Sequence, residues 1–305
     1  MLEAMRGFVL AFVAWLVCSA TARAVVVFGS DDVPYTTAPG NGAPWDHVGT
    51  IGGATGVYLG SFGGGYWVIT ATHVGAGSFT LGSGTYSVVS GSAAQISGSD
   101  LTVFRVATNP GLSNLTLSSS APATGASVTM IGHGLDRTTS PLTGQLLAGW
   151  QVTGSDPNYT WTEISSGVAD AEGYYLGSSH TMRWGTNTIA GTSSYNIGTG
   201  NTTALVTNFS AVTGESQGSS GDSGGAMFYF NGSTWELTGI MGAIATFEDQ
   251  PGSTAVVGNL TYSASIAAYN SAIVSAIPEP ATTTAWLAAA ALILARARRK
   301  SRAGL

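Results

Sequence analysis

The chain of 305 residues is 44% hydrophobic and only 9% charged, with 43 glycines, one cysteine and 10 basic against 16 acidic side chains. Such a composition excludes a coiled coil and a highly charged disordered protein. The basic residues gather at the two ends, so residues 25–277 hold 14 acids against 3 bases, a net of −11 that repels nucleic acid backbones and excludes that class of partner.

In chain order the first element is an address. Arg6, the apolar run 8–17 and a polar stretch ending Ala22-Arg23-Ala24 read as a secretory signal cleaved after Ala24, with Sec-type export machinery as the expected partner. Residues 1–24 would then be lost, and Cys18 with them, leaving a mature chain without disulfides, thiol nucleophile or thiolate metal site. Its stability must come from its core.

From residue 25 the sequence reads as strands. Apolar or β-branched runs recur between Gly- and Ser-rich breaks at 56–60, 66–71, 86–90, 101–106, 127–131, 151–154, 203–208, 226–229, 235–241 and 255–258, without long helical periodicity. Many short strands with turn chemistry between them predict an all-β barrel or sandwich. About 250 residues suffice for two modest cores, and the stretch 110–124, rich in Asn, Ser, Pro and Gly, is the expected seam. A loose Gly/Ser polymer is disfavoured by 8 Trp, 11 Tyr and 10 Phe, which supply buried area that a disordered tract lacks.

Three segments carry chemistry. Trp67-Val68-Ile69-Thr70-Ala71-Thr72-His73 is an apolar strand that delivers a histidine at its end. Asp100-Leu101-Thr102-Val103-Phe104-Arg105-Val106 opens an alternating strand with a carboxylate, and Gly221-Asp222-Ser223-Gly224-Gly225 holds a serine in a glycine-flanked turn. A serine hydroxyl is a poor nucleophile: it needs a neutral imidazole to take its proton, and the imidazole needs a carboxylate to fix its tautomer. His73, Asp100 and Ser223 fill those roles, and the glycines let the Gly221 and Ser223 amides turn toward one point where an oxyanion would collect charge. Free imidazole titrates near pH ~6.5 and must be neutral to accept the proton, so activity should rise through about pH 6 to 8.

The remaining histidines and acids promise less. His47 reads as a surface or barrel-edge residue and His180 as part of an insertion; Asp31-Asp32 and Glu248-Asp249 are isolated acidic pairs of the usual solvated kind. No nucleotide loop or metal-ligand cluster is visible, so neither a metal nor any other cofactor is expected. At the C-terminus, Pro278-Glu279-Pro280 precedes 15 uncharged residues, 281–295, and then Arg296-Ala297-Arg298-Arg299-Lys300. As a helix that run spans roughly 22 Å, a marginal membrane anchor whose cationic flank would stay cytoplasmic.

The three central segments, in this order, resemble those of the chymotrypsin-like (trypsin-like) serine peptidases, and the likeness extends loosely over about residues 45–265. Gly132-His133-Gly134 resembles the entry to that family's second barrel, and residues 237–241 the strand after its nucleophile. The resemblance implies two antiparallel six-stranded β-barrels, residues 25–117 and 118–275, with the active site between them and a protein or peptide as substrate. It also implies a primary pocket floored by Gln217 and walled by Gly242, Ala243 and Ile244. No carboxylate stands at the floor and Ile244 narrows the slot, so cleavage after small or medium uncharged residues is expected, with Glu215 nearby as a complication.

Several departures from the family stand out. Val74 and Ser219 occupy positions where many relatives carry cysteines, and residues 137–205, with Trp150, Trp161, Tyr174, Tyr175 and Trp184, form an insertion that reads either as a lid or as an extra packed hairpin. A new terminus Val25-Val26-Val27-Phe28 lacks the family's Ile-Val-Gly-Gly pattern, so no dedicated zymogen step is expected. Whether Asp222 meets an α-amino group, Arg137, Arg183 or only backbone amides stays open at this point. The C-terminal segment, about residues 276–305, resembles the PEP-CTERM sorting signal of Gram-negative bacteria. That resemblance implies transient inner-membrane anchoring, an exosortase-type processing partner, and a final location in the cell envelope or outside the cell. The alternative to a peptidase is a catalytically silent surface or matrix protein using the same scaffold for binding.

Overall fold

The structure, a computed structural model, describes residues 23–29 and 33–277. The expected signal up to residue 22, the Asp31-Asp32 pair and the segment from Pro278 onward lie outside the described residues. In chain order the strands are β1 (Arg23–Val27), β2 (Val48–Ile51), β3 (Ala54–Phe62), β4 (Gly65–Ala71), β5 (Phe79–Leu81), β6 (Gly84–Tyr86), β7 (Ala94–Ile96) and β8 (Leu101–Val106). After the seam come β9 (Thr116–Leu117), β10 (Ser127–Thr138), β11 (Leu147–Ser155), β12 (Asn158–Ile164), β13 (Ala171–Tyr195) and β14 (Thr202–Asn208). The chain finishes with β15 (Ser216–Ser219), β16 (Ala226–Phe230), β17 (Trp235–Ala245), β18 (Thr254–Val256), β19 (Leu260–Ser265) and helix α1 (Ile266–Ala276).

Both large sheets close on themselves. In the first, β5, β2, β3, β4 and β8 are successive antiparallel neighbours, and β6 pairs β5. The chain beyond β6 then reaches the far edge of β8 through the Val88–Val106 bridge and the Val89 N–H to Arg105 carbonyl bond of 2.8 Å. Since β7 pairs the other half of that same edge, β6 and β7 share one row and the ring has six. In the second sheet β10, β16, β17, β19, β14 and β13 pair in turn, and β13 pairs back onto β10, giving a closed six-stranded antiparallel ring. Closure removes exposed edges. The fold is all-β, as the strand pattern predicts.

Alternation along the strands explains why they read as dense apolar runs. Tyr58, Val68, Phe79, Phe104 and Val106 fill the first ring, while Val57, Leu59, Trp67, Ile69, Leu101 and Val103 point the other way. These pack in one continuous cluster with Ile131, Phe228, Leu237 and Ile240 of the second sheet and Ile266, Ile273 and Ile277 at the C-terminal helix. Strands buried on both faces lose the polar half of the usual pattern. The two rings are therefore fused by a shared core, and the cleft lies along its rim.

Two elements depart from the sequence reading. Helix α1 was not expected; Ser265 caps it by accepting the Ala268 N–H at 3.4 Å, and Ile266 and Ile273, seven residues apart, fall on one buried face. The stretch 137–205 is also more than an addition. Its central part makes the β11–β12 hairpin, yet β13 from Thr181 to Tyr195 pairs with β10 and then β14 and is part of the second ring itself. Among the described residues no helix is long and apolar enough to cross a membrane.

Candidate active site

The cleft is assembled from the ends of three strands. Strand β4 carries the chain into a turn in which the Val74 and Gly75 amides donate to the Ala71 carbonyl, and His73 stands at that turn. The chain just before β8 lays Asp100 beside it, with the Thr72 N–H donating to the Asp100 carbonyl at 3.1 Å. Asp100 is wholly buried; its Oδ1 accepts the His73 backbone N–H at 3.1 Å and its Oδ2 accepts the His73 Nδ1–H at 2.8 Å. With that proton committed to the carboxylate, Nε2 presents its lone pair to the Ser223 hydroxyl, 2.7 Å away. The histidine side chain keeps 24% of its surface exposed, so the line of contacts opens to solvent at the imidazole.

Ser223 arrives from the second ring on a turn that is wedged against the first. Gly224 has φ of 85°, and a Cβ there would overlap the Thr55 carbonyl oxygen and Thr70 Oγ1. Only glycine permits both the backbone angle and the approach. Gly221, with φ of 99°, is equally confined: a Cβ would lie 2.9 Å from Gly134 Cα and 3.0 Å from the Gly53 carbonyl oxygen and would overlap the His133 carbonyl. Thr55, fully buried on β3, ties these parts together. Its N–H donates to the Ser223 carbonyl at 3.0 Å, its hydroxyl donates to the Gly221 carbonyl and accepts the His133 N–H at 3.0 Å, and its carbonyl accepts the Thr70 hydroxyl at 2.8 Å. Every polar group of this one residue is thus satisfied: its N–H and hydroxyl proton dock the serine turn, and its other bonds tie that turn to β4 and β10.

Asp222, next to the serine, is buried beneath it. The Ser219 N–H donates to Oδ2 at 2.8 Å, Oδ1 has no hydrogen-bond partner among the described residues, and the Val25 amide lies near enough to favour the charged form. Burial still dominates over these amides and the Arg183 charge, and pushes the carboxyl up to about 7. The question left by the sequence is thus answered by the Ser219 amide, with the Val25 amide and Arg183 nearby. Arg183 itself donates to Asp136 Oδ1 at 2.7 Å, to the Leu135 carbonyl at 2.8 Å and to the Val25 carbonyl at 3.3 Å, whereas Arg137 lies over the Tyr174 ring and donates to the Gly29 carbonyl.

The residues expected to line a pocket lie on two neighbouring strands. Burial along β17 is complete from Leu237 to Met241 and becomes partial at Gly242, Ala243 and Ile244. Ile244 Cγ2 stands 3.6 Å from where a Gly218 Cβ would be, so β15 and β17 face each other across a narrow gap. Gln217 is buried at 1% exposure; its amide nitrogen reaches Asn259 Oδ1 at 3.5 Å and its Oε1 has no hydrogen-bond partner. Glu215 is held by the Ser210 amide and hydroxyl, away from that gap.

Other sequence expectations are corrected. His47 is not a surface residue: it is 6% exposed, donates from Nδ1 to the Tyr58 carbonyl at 2.8 Å, and is lowered in pKa by burial. His180 lies on β13 opposite Leu135 and stacks on His133 at 5.7 Å; His133 is lowered in pKa by burial and then by its neighbour. Thr55, Tyr195 and Thr202 had no motif to announce them. Tyr195 donates its hydroxyl to Asp100 Oδ2 at 3.1 Å and Thr202 Oγ1 accepts the Asp100 N–H at 2.8 Å, so both touch the central carboxylate residue. A tyrosine hydrogen-bonded to a buried acid is detectable only after folding.

No protein-family model and no curated protein matches the sequence. Among solved structures the chain is similar to the Rv3671c protease of M. tuberculosis in its inactive form, at 16% identity over 83% of this chain and 99% of that one, with a TM-score of 0.44. It is similar to neuropsin, a serine protease expressed in the limbic system of mouse brain, at 16% identity over 80% and 98% of the two chains, TM-score 0.44. The NS6 protease of murine norovirus 1 is similar at 15% identity over 74% and 94%, TM-score 0.34.

Proposed function

We propose that the protein is an exported serine endopeptidase that hydrolyses peptide bonds through an acyl-enzyme. The observation that carries this reading is the unbroken line Asp100, His73, Ser223, with 2.8 Å and 2.7 Å contacts, built from two separate rings. Nothing in the packing of either ring requires a carboxylate, an imidazole and a hydroxyl to meet at the rim of their shared core. In the proposed reaction Ser223 Oγ attacks the substrate carbonyl as its proton passes to His73 Nε2. The carbonyl oxygen becomes an oxyanion facing the Gly221 and Ser223 amides. His73 then gives the proton to the leaving amine, the C–N bond breaks, and water repeats the sequence to free the acid and restore the serine. Asp100 holds the imidazole in its tautomer throughout.

Ile244 packed 3.6 Å from the Gly218 Cβ position, a neutral amide at buried Gln217, and Glu215 occupied by Ser210 support cleavage after small or medium uncharged residues. Digestion of a peptide library should show that preference, and preferential cutting after Arg would refute it. Cleavage after Ala24 would leave Val25 as the new terminus with its nitrogen beside Asp222, so removal of the signal is the only maturation step proposed. Active protein whose N-terminal sequence begins far downstream of Val25 would overturn that. The C-terminal segment is proposed to hold the chain at the inner membrane until an exosortase-type enzyme releases it to the envelope or medium. The decisive experiment is labelling of purified, folded protein by a fluorophosphonate. Labelling that disappears in Ser223→Ala supports the peptidase; a folded sample that does not label favours the catalytically silent binding scaffold.

A further inference from the structure

The hairpin between β13 and β14 belongs to the second ring, yet its tip lies against the segment that bears Asp100. Gln95 Nε2, on β7, donates to the Thr199 carbonyl at 2.9 Å. A Cβ at Gly200 would stand 2.9 Å from the Gly98 carbonyl carbon, so the two backbones are in direct contact. The residues that end β13 and begin β14, Tyr195 and Thr202, both bond Asp100. Tyr195 is 3% exposed and its ring meets Tyr262 edge-on at 6.1 Å, so its hydroxyl has little freedom to point elsewhere. Burial, followed by the Asp100 charge, pushes that hydroxyl far above its ordinary range and keeps it a donor at any pH of interest.

The opposite side of the same contact is Gly242 on β17. A Cβ there would overlap Tyr195 Oη and stand 3.0 Å from Asp100 Oδ2. Its backbone angle is not among those reserved for glycine, so the empty side chain is explained by the tyrosine it faces. Resting on the peptidase reading, we propose that Tyr195 is a positioning residue for the reaction: its hydroxyl, admitted by the missing side chain at Gly242, fixes the plane of the Asp100 carboxylate from the opposite ring. One oxygen is pinned by the His73 backbone and the other by Tyr195, so the carboxylate cannot rotate away from Nδ1. The acid is thereby oriented by the half of the molecule that carries the nucleophile.

The test moves the hydroxyl from one residue to the other and reads fluorophosphonate inactivation, separating the rate constant from the affinity for the reagent. Tyr195→Phe keeps the ring and should lower the inactivation rate constant roughly tenfold, the weight of one hydrogen bond to a charged group, with affinity for the reagent little changed and a modest fall in melting temperature. Gly242→Ala with Tyr195 in place should be at least as slow, because the methyl displaces the hydroxyl. Tyr195→Leu removes the ring tip, and in that background Gly242→Ser should label several-fold faster than Gly242→Ala, since the serine hydroxyl springs from a Cβ already near Asp100 Oδ2. Comparing those two double variants cancels the cost of truncating the tyrosine. An undiminished rate constant in Tyr195→Phe, or equal rates for the Ser and Ala doubles, overturns the proposal. Wild-type protein that fails to label overturns the peptidase reading instead.

Discussion

The serine turn and the β11–β12 hairpin are both short excursions of the second sheet, but they are held in different ways. Every residue from Ser216 to Phe228 is buried, and the turn within that stretch is fixed by backbone and hydroxyl hydrogen bonds to β3 together with glycines that admit no side chain. The hairpin instead shows mostly exposed or half-exposed residues along β12 and is fastened by aromatic faces. Trp150 meets Trp161 at 6.3 Å and Tyr175 at 5.6 Å, and Trp161 meets Phe247 at 6.0 Å. Polar bonds with fixed directions give a single geometry, whereas ring contacts tolerate small shifts. Mutations in the turn should therefore damage chemistry before stability, and mutations in the hairpin the reverse.

The sharpest break of that contrast is Ser223→Ala, which should abolish labelling and reduce turnover by roughly six orders of magnitude while the melting temperature stays nearly unchanged. Next comes Gly224→Ala. The added methyl strikes Thr55 and Thr70 and the backbone angle is unsuited to alanine, so the serine must move. A displacement of about 1 Å costs on the order of 100-fold in rate, read as slowed labelling in a protein that still folds.

Asp222 tests the turn through pH. Its carboxyl titrates near 7 in the folded chain against an ordinary 3.8, so between about pH 4 and 7 the folded state holds a proton that the unfolded state has lost. Stability is then fully present below pH 4, declines as pH rises toward 7, and should fall by up to about 4 kcal/mol across that window. Thermal melts of protein with the signal residues still attached should show this slope, and Asp222→Asn should flatten it. Trimming to Val25 brings an ammonium to the carboxyl and should weaken the slope as well. The smallest effect is expected for Trp161→Ala in the hairpin, which loses two ring contacts and the 3.0 Å bond from Nε1 to the Glu248 carbonyl. It should cost about 1–3 kcal/mol in melting experiments and leave the labelling rate intact. A large rate loss there would mean that the hairpin belongs to the catalytic apparatus and that the contrast is misdrawn.

What could be read in advance followed from where apolar density and rare motifs coincide. Strand Leu101–Val106 was expected with the bounds it has, because an acid opens it and polar, Pro-containing sequence follows. His73, Asp100 and Ser223 were legible because each sits in a segment whose neighbours constrain it, and the structure brings all three together. Strand β13 was not legible as a 25-residue element, since Ser179 to Ser194 mixes Gly, Ser, Thr and Asn with isolated apolar residues and its burial alternates only because of pairing partners far away. Thr55 and Tyr195 were invisible for a related reason. A threonine and a tyrosine in strands look like ordinary β-formers, and only tertiary contact turns their hydroxyls into supports for Ser223 and Asp100.

The bonds made by Thr55 have a further consequence for how such a molecule comes into being. Because His73 and Asp100 come from the first ring and Ser223 from the second, and Thr55 docks the one onto the other, neither half alone can assemble the line of contacts. On the proposed reading, a polypeptide exported in an extended state would be harmless to the cell that makes it, and would become active only when both halves meet on the far side. Self-protection would then need no inhibitor, being written into the order in which the pieces can touch.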